Sequence, residues 1–91
     1  MRHEITRAAE ADLRDIHQHT FEMFGPKQAE RYLRDLGAVF EMLGEFPEMG
    51  RPFEGESRSF IHGSRIVLYR IKGDVVLIGR ILHGARDQSG P

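Results

Sequence analysis

The apolar residues of this 91-residue chain follow a helical period in its first half and a strand-like pattern in its second half. The first stripe recurs at spacings of three and four and comprises Ala9, Leu13, Ile16, Thr20, Phe21 and Phe24. The second comprises Ala29, Leu33, Leu36, Phe40 and Leu43, broadened by Tyr32, Val39 and Met42. This single change of period predicts two amphipathic helices followed by strands, with the helices and the sheet segregated along the chain.

Local signals place the ends of the two helices. Thr6 is the predicted N-cap of the first helix, because its hydroxyl can accept a hydrogen bond from a first-turn N–H. Gly25 suits a left-handed helix end, and Pro26 suits the first position of the next helix. So short a connection makes the helices antiparallel neighbours. Gly37 costs the second helix roughly 1 kcal/mol relative to alanine, and we expect it to allow close packing of the two helices.

The second half of the chain contains two hairpin signals. They are Gly63-Ser64 and the turn "KGD", and each lies between apolar runs. A loop rich in proline and glycine, "EFPEMGRPFEGES" (residues 45–57), precedes them, and "HEIT" (residues 3–6) is a possible first strand. We therefore predict a single α+β domain spanning residues 1–91. In it an N-terminal strand and an antiparallel two-helix hairpin pack on a small antiparallel sheet, in the order β-α-α-β-β-β.

The composition excludes several classes of protein. With 13 basic and 14 acidic side chains, the chain has no general attraction for nucleic acid or an anionic membrane, and we expect no direct sequence-specific DNA binding. The absence of cysteine removes disulfide and thiol chemistry. No apolar run approaches the ~18 residues that span a bilayer. We expect a soluble cytoplasmic protein without a membrane partner.

The histidines and glycines give no sign of a metal or cofactor. His17 and His19 are two residues apart and cannot share a ligand face on a helix, and no zinc motif is present. The segments "GPK" and "HGSR" lack the glycine spacing of nucleotide-binding loops. We expect no metal and no cofactor.

The stretch "VVLIGRILHGARD" raises the question of catalysis, since Arg80 and His83 interrupt an apolar strand. RNA cleavage without a metal needs a base, an acid and cations, and the candidates for these roles are Arg65, Arg80, His83 and Tyr69. In a regular strand, however, Arg80 shares a face with Ile78 and Leu82, while His83 lies on the opposite face. This alternation favours surface arginines and a strand-end histidine over a catalytic pair.

Both faces of the last two strands are apolar. One set comprises Ile66, Leu68, Val76 and Ile78, and the other comprises Val67, Ile71, Val75 and Leu77. Two helices cannot cover both faces. The second face is therefore covered either by a partner protein or by the loop at residues 45–57.

These features together resemble the ParE branch of the ParE/RelE toxin superfamily from toxin–antitoxin modules. The resemblance lies in "AEADLRDIHQHTFEMFG", "QAERYLRDL", "FPEMGRPF", "RIVLYRI" and "IGRILHGARD". It implies a hetero-oligomer with a ParD-like antitoxin, in which a DNA-binding ribbon-helix-helix dimer carries a C-terminal segment that wraps the toxin. The candidate antitoxin contacts are Tyr32, Val39, Met42, Tyr69 and Ile78.

The superfamily divides into ParE-like members, which poison DNA gyrase, and RelE-like members, which cut mRNA on the ribosome. RelE-like members place lysines between the second helix and the central strands, where this chain has glutamates and no lysine. RelE-like members also use a late tyrosine or a histidine–tyrosine pair as the acid–base group. In this chain no tyrosine follows Tyr69, and the residue after His83 is Gly84. We therefore predict a gyrase-binding toxin that is not an enzyme, with Arg58, Arg65, Arg80 and His83 as candidate target contacts. A ribosome-dependent endoribonuclease and an inactive antitoxin-binding relic are the alternatives.

Overall fold

The computed structural model describes residues 1–84, in which two helices and five strands follow one another along the chain. The elements are β1 (Arg2–Ile5), α1 (Arg7–Phe24), α2 (Pro26–Glu45), β2 (Arg51–Pro52), β3 (Ser57–His62), β4 (Arg65–Lys72) and β5 (Val75–His83). The last part of the motif "RILHGARD", including Arg86 and Asp87, lies outside the described residues. The α+β class and the helical hairpin are confirmed.

The predicted signals at the helix ends are confirmed. The Thr6 hydroxyl accepts a hydrogen bond from the Ala9 N–H at 3.2 Å and caps α1. Gly25 ends α1 at φ 93°, a conformation that favours glycine, and Pro26 begins α2. The expectation for Gly37 is wrong. A Cβ added there would meet no atom within 4 Å, so this glycine does not bring the two helices together.

The sheet is mixed, whereas the sequence predicted an antiparallel one. Its strand order is β1-β5-β4-β3-β2, and β1 pairs with β5 in parallel while the other pairs are antiparallel. A parallel pair needs a long crossover connection, and here the segment from α1 to β4 provides it. The four residues of β1 contain no sequence signal that distinguishes parallel from antiparallel pairing, so the pattern could not have specified that β1 pairs with β5 in parallel.

A bulge at Gly79 changes which residues of β5 face the helices. Tyr69 pairs with Ile78 and Leu68 pairs with Arg80, so Gly79 has no partner on β4. Ile78 and Ile81 therefore both lie on the face that the helices cover, and both are buried. The prediction that Arg80 shares a face with Ile78 is wrong, because the extra residue reverses the alternation.

The core lies between the helical hairpin and one face of the sheet. It contains Ala9, Ile16, Leu36, Val39, Phe40, Leu43, Val67, Tyr69, Val76, Ile78 and Ile81. On the opposite face Leu68 and Leu77 remain half-buried. The loop before β3 does not cover that face, since it hydrogen-bonds to Tyr69 on the helix side. Of the two alternatives for covering the second face, the one in which the loop folds over it is therefore wrong.

Candidate functional site

Two of the predicted target contacts meet at the end of the sheet nearest α1. Arg65 and His83 are directly opposite each other on β4 and β5, and cross-strand partners share a face. They line a cavity of about 320 Å³, here called the His83 cavity. Its other lining residues are Asp12, Asp15, Ile16, His19 and Ile81. A neighbouring cavity of similar size shares Arg65, His83 and His19.

His19 is a member of this site that the sequence reasoning missed. It lies on α1, and its imidazole borders both cavities together with Arg65 and His83. The signal was present, because Asp12, Ile16 and His19 follow helical spacings and so line one face of α1. Cationic and titratable groups from three separate elements therefore converge here.

Arg80 lies on the opposite face of β5, where it lines a separate cavity with Leu68 and Arg70, and it is joined to the lining of the His83 cavity through Asp12. Its Nε donates to Asp12 Oδ2 at 2.8 Å, and its Nη2 donates to Oδ1 at 3.1 Å. The Ile81 N–H also donates to Asp12 Oδ2, at 2.8 Å. Burial raises the pKa of Asp12, but the hydrogen bonds from Arg80 and Ile81 and the charges of Arg80 and Arg65 outweigh it and lower the pKa overall. Asp12 is therefore an ionised anchor between two candidate contact arginines.

Where β5 extends beyond its pairing with β1, its backbone groups form hydrogen bonds with residues at the start of α1 instead. The Thr6 N–H donates to Ile78 O at 3.1 Å, and the Thr6 hydroxyl donates to Gly79 O at 3.0 Å. Asp12 accepts from Ile81 one turn and a half further along. The bulge and the following Arg80 are thus held against α1 by hydrogen bonds, which fixes the base of the Arg80 side chain.

Arg58, the fourth predicted target contact, lies elsewhere. Its Nη1 donates to Gly50 O at 2.8 Å, in the loop before β2. The Tyr69 hydroxyl donates to Pro47 O at 2.7 Å and accepts from the Gly50 N–H at 2.9 Å. We call this arrangement of Arg58, Tyr69, Pro47 and Gly50 the loop clamp. Burial raises the pKa of Tyr69, opposed by the Gly50 hydrogen bond and the charge of Arg58.

The predicted antitoxin contacts lie mainly in the core. Val39, Tyr69 and Ile78 are 8%, 2% and 0% exposed, so a partner that docks on the folded chain cannot reach their side chains. Tyr32 and Met42 are half-buried where the second helix meets the sheet, and the Tyr32 ring lies 6.2 Å from that of His62. The helix face chosen from sequence is the one that packs on the sheet.

An apolar groove lies between α1 and α2 instead. It consists of two cavities of about 680 and 510 Å³, both lined by Leu13 and Leu33. One end reaches Phe21 at the tip of the hairpin, and the other continues past Gly37 and Ala38 to His3 and Ile5 on β1. We call it the helix groove. The space beside Gly37 belongs to this groove and is not filled by the first helix.

Residues 1–84 contain neither a cluster of metal ligands nor a membrane-spanning helix. In this range no three residues among His, Asp and Glu come together in a way that could hold a metal ion. Neither helix of the described chain combines the length and apolar character needed to cross a bilayer.

Comparison with known proteins gives a consistent result. The profile of the family described as "ParE toxin of type II toxin-antitoxin system, parDE" matches residues 4–88. Toxin ParE1 of Caulobacter vibrioides is 38% identical over 84 residues, which cover 89% of this chain and 86% of that protein. Toxin ParE1 of Mycobacterium tuberculosis is 31% identical over 90 residues, covering 94% of this chain and 92% of the relative.

A solved structure agrees with these sequence relatives. The structure described as "Chromosomal ParDE TA system from P. aeruginosa" superposes with a TM-score of 0.81 at 28% identity, covering 91% of this chain and 95% of the other. The profile match includes the strands and helices that build both the His83 cavity and the helix groove. The chain belongs to the ParE toxin family of type II toxin–antitoxin systems.

Proposed function

We propose that this toxin acts in the cytoplasm by binding DNA gyrase, that it traps the enzyme with cleaved DNA, and that a ParD-like antitoxin neutralises it. The observation that carries the proposal is the meeting of Arg65 and His83 in an accessible cavity whose lining residue Asp12 also binds Arg80, on the other face of β5. Arginines suit the acidic surfaces of a protein target, because a planar guanidinium pairs with carboxylates through two hydrogen bonds.

The surroundings of the site support binding rather than RNA cleavage. The Tyr69 hydroxyl, a candidate acid in a ribonuclease, donates to Pro47 O and accepts from Gly50, so it is occupied inside the chain. The loop before β3 exposes Glu48, Glu54 and Glu56, whose charges repel a nucleic-acid backbone.

The direct test adds the purified toxin to gyrase and supercoiled DNA and measures the fraction of cleaved DNA. We expect the wild type to raise it and to leave ribosome-bound mRNA intact. Arg65→Ala and His83→Ala should each weaken the effect about tenfold, as expected for the loss of a charged contact. Arg31→Ala replaces an exposed arginine on α2 that lines neither the His83 cavity nor the cavity beside Arg80; it is the matched control and should keep full activity.

Two results would contradict this proposal. Cleaved mRNA with unaffected gyrase would favour a ribosome-dependent ribonuclease, and in that case His83→Ala should lower the cleavage rate by orders of magnitude. Expression without growth arrest would favour an inactive relic that only binds antitoxin.

For the antitoxin we propose the helix groove as the docking surface. A ParD-like partner combines a ribbon-helix-helix dimer with a C-terminal segment that becomes ordered on binding, and such segments bury apolar side chains in grooves. The groove offers Leu13, Leu33 and Phe21 as apolar lining, and Gly37 and Ala38 leave room for the backbone of the segment to come close.

Ala38→Arg tests this surface, because Ala38 is exposed and lines the groove. The variant should bind antitoxin at least about tenfold more weakly, a loss of about 1.4 kcal/mol, and should still arrest growth when the antitoxin is co-expressed. Ala8→Arg replaces an exposed alanine outside the groove and serves as the control. Equal affinity of the two variants for antitoxin would exclude the groove.

A further inference from the structure

The salt bridge between Arg80 and Asp12 has two ends with different surroundings. The Asp12 side chain is only 14% exposed, whereas the Arg80 side chain is 51% exposed. A guanidinium has five N–H donors. In Arg80, two of them, the N–H of Nε and one N–H of Nη2, are bound to Asp12. Within residues 1–84 Arg80 has no other hydrogen-bond acceptor. The remaining donors therefore face outward from a guanidinium whose plane is fixed.

We propose that Asp12 is a positioning residue of the toxin's target site: it holds the Arg80 guanidinium on the open face of the sheet so that its free N–H edge is preformed to bind a carboxylate on the target protein. The inference rests on the proposed role of Arg80 in target contact. Asp12 itself does not touch the target. It acts by removing the rotational freedom that Arg80 would otherwise lose on binding.

Accepting the hydrogen bond from the Ile81 N–H at the edge of β5 does not by itself explain why residue 12 is an aspartate. The Ile81 N–H at the edge of β5 needs one acceptor, and an asparagine oxygen would serve. The fork of Arg80 needs two coplanar oxygens, one for Nε and one for Nη2, which only a carboxylate offers. Exposed ion pairs contribute little to folding stability, so the second oxygen has its main effect on the orientation of Arg80.

The charges nearby favour a carboxylate on a protein over a nucleic-acid backbone as the bound group. Asp12 and Asp15 both line the His83 cavity, next to Arg65. A DNA strand carries a negative charge at every phosphate, so a second phosphate would meet these aspartates. A single acidic side chain can approach Arg80 from the open side of the sheet without that repulsion.

A double-mutant cycle tests the proposal with Asp12→Asn, Arg80→Ala and the combination of both, all in the full chain. Asp12→Asn keeps an acceptor for the Ile81 N–H, so the fold is retained. The readouts are the toxin dose that gives half-maximal growth arrest, the dose that stabilises gyrase-cleaved DNA, the antitoxin affinity and the melting temperature. Arg80→Ala should raise both toxin doses about ten- to hundredfold, and Asp12→Asn about three- to tenfold.

The decisive comparison is the effect of Asp12→Asn when Arg80 is already absent. A positioning residue that acts through Arg80 should then have no further effect on either dose, while antitoxin affinity stays unchanged throughout. If Asp12→Asn weakens the toxin equally in both backgrounds, or only as far as it lowers the melting temperature, Asp12 is a structural residue and the inference fails.

Growth arrest and gyrase cleavage separate this inference from the proposed function. If wild type arrests growth without stabilising cleaved DNA, gyrase is not the target, and the cycle measured by growth arrest still decides the role of Asp12. If Arg80→Ala leaves both doses unchanged, Arg80 makes no target contact and the inference is overturned, even where gyrase is confirmed.

Discussion

Arg58 and Arg80 look alike in the sequence, but the structure uses them in opposite ways. Arg58 donates to a backbone carbonyl of its own chain, Gly50 O, and so secures the loop before β2. Arg80 donates to the Asp12 carboxylate and leaves half of its side chain exposed. The acceptor decides the role. A backbone carbonyl ties an arginine to the fold, whereas a carboxylate that is itself anchored can hold an arginine in place for another molecule.

The same contrast separates the two regions in which these arginines lie. In the loop clamp, Gly50 is buried and its backbone lies against the Tyr69 hydroxyl, so that the parts fit closely. Around the His83 cavity, by contrast, Arg65, His19 and His83 border open space. We therefore expect substitutions in the loop clamp to change stability, and substitutions at the His83 cavity to change binding.

The largest expected effect on stability is that of Gly50→Ala. A Cβ at this position would lie 2.5 Å from the Tyr69 hydroxyl oxygen and 2.7 Å from Ser59 O. Because backbone and a buried ring must shift, we expect a loss of about 2–3 kcal/mol in the free energy of unfolding, measured by urea denaturation. Gly37→Ala is the control. It has free space, and replacing glycine inside a helix should raise stability by about 0.5–1 kcal/mol. Equal effects of the two variants would contradict the close contact at Gly50.

The second prediction compares the two arginines directly. Arg58→Ala should lower the free energy of unfolding by about 1–2 kcal/mol, because it leaves Gly50 O without its donor, and should leave target inhibition unchanged where the protein is folded. Arg80→Ala should hardly shift the melting temperature and should weaken target inhibition. Denaturation curves and gyrase cleavage assays measured on both variants check this. A toxin inactivated by Arg58→Ala at full stability would break the comparison.

Tyr69→Phe should have a smaller effect on the loop clamp, about 1 kcal/mol, since it removes one hydroxyl that bonds to Pro47 and Gly50. Burial of the Tyr69 phenol raises its pKa, and this gives the buried phenol a pH signature. Its contribution is complete below the unfolded pKa of 10.0 and is lost as pH rises through the higher folded value. Thermal unfolding followed from pH 8 to about 11 should show a steeper alkaline decline for wild type than for Tyr69→Phe. Parallel curves would show that the phenol does not contribute in this way.

The smallest predicted effect concerns Asp12 in acid. Its pKa in the folded state is lowered from 3.8, so its contribution to stability is present above that value and disappears as pH falls through the depressed pKa. Wild type should therefore lose more stability than Asp12→Asn between about pH 4 and pH 2. Circular dichroism during acid titration measures the difference, and indistinguishable titrations would mean that Arg80 does not stabilise the carboxylate.

Sequence patterns predicted the parts of this fold that depend on neighbouring residues. The Thr6 cap, the Gly25–Pro26 junction and the Gly63-Ser64 turn rest on local chemistry, and all three are confirmed. These features needed no knowledge of the remaining chain.

The features that sequence reasoning missed depend on distant residues. Asp12 and Arg80 are 68 residues apart, and no spacing rule connects them. The bulge at Gly79 shifts the alternation of β5 by one residue, so that Ile78 enters the core with Tyr69. A pattern with a period of two cannot show which face of β5 the helices will cover. In α2, the helical period likewise cannot show how much of a broad apolar stripe packs on the sheet, and Val39 proves to be buried.

The parallel pair of β1 and β5 joins the first strand of the chain to the last one that the structure describes. Thr6 forms a hydrogen bond with Gly79, 73 residues later in the chain, and Asp12 forms one with Arg80, 68 residues later. Contacts between such distant residues slow folding, and synthesis delivers the N-terminal part first. A nascent chain that has completed only its helices therefore lacks the strand bearing Arg80 and His83. The proposed target contacts on β5 are therefore added last, and a chain interrupted before β5 would lack them.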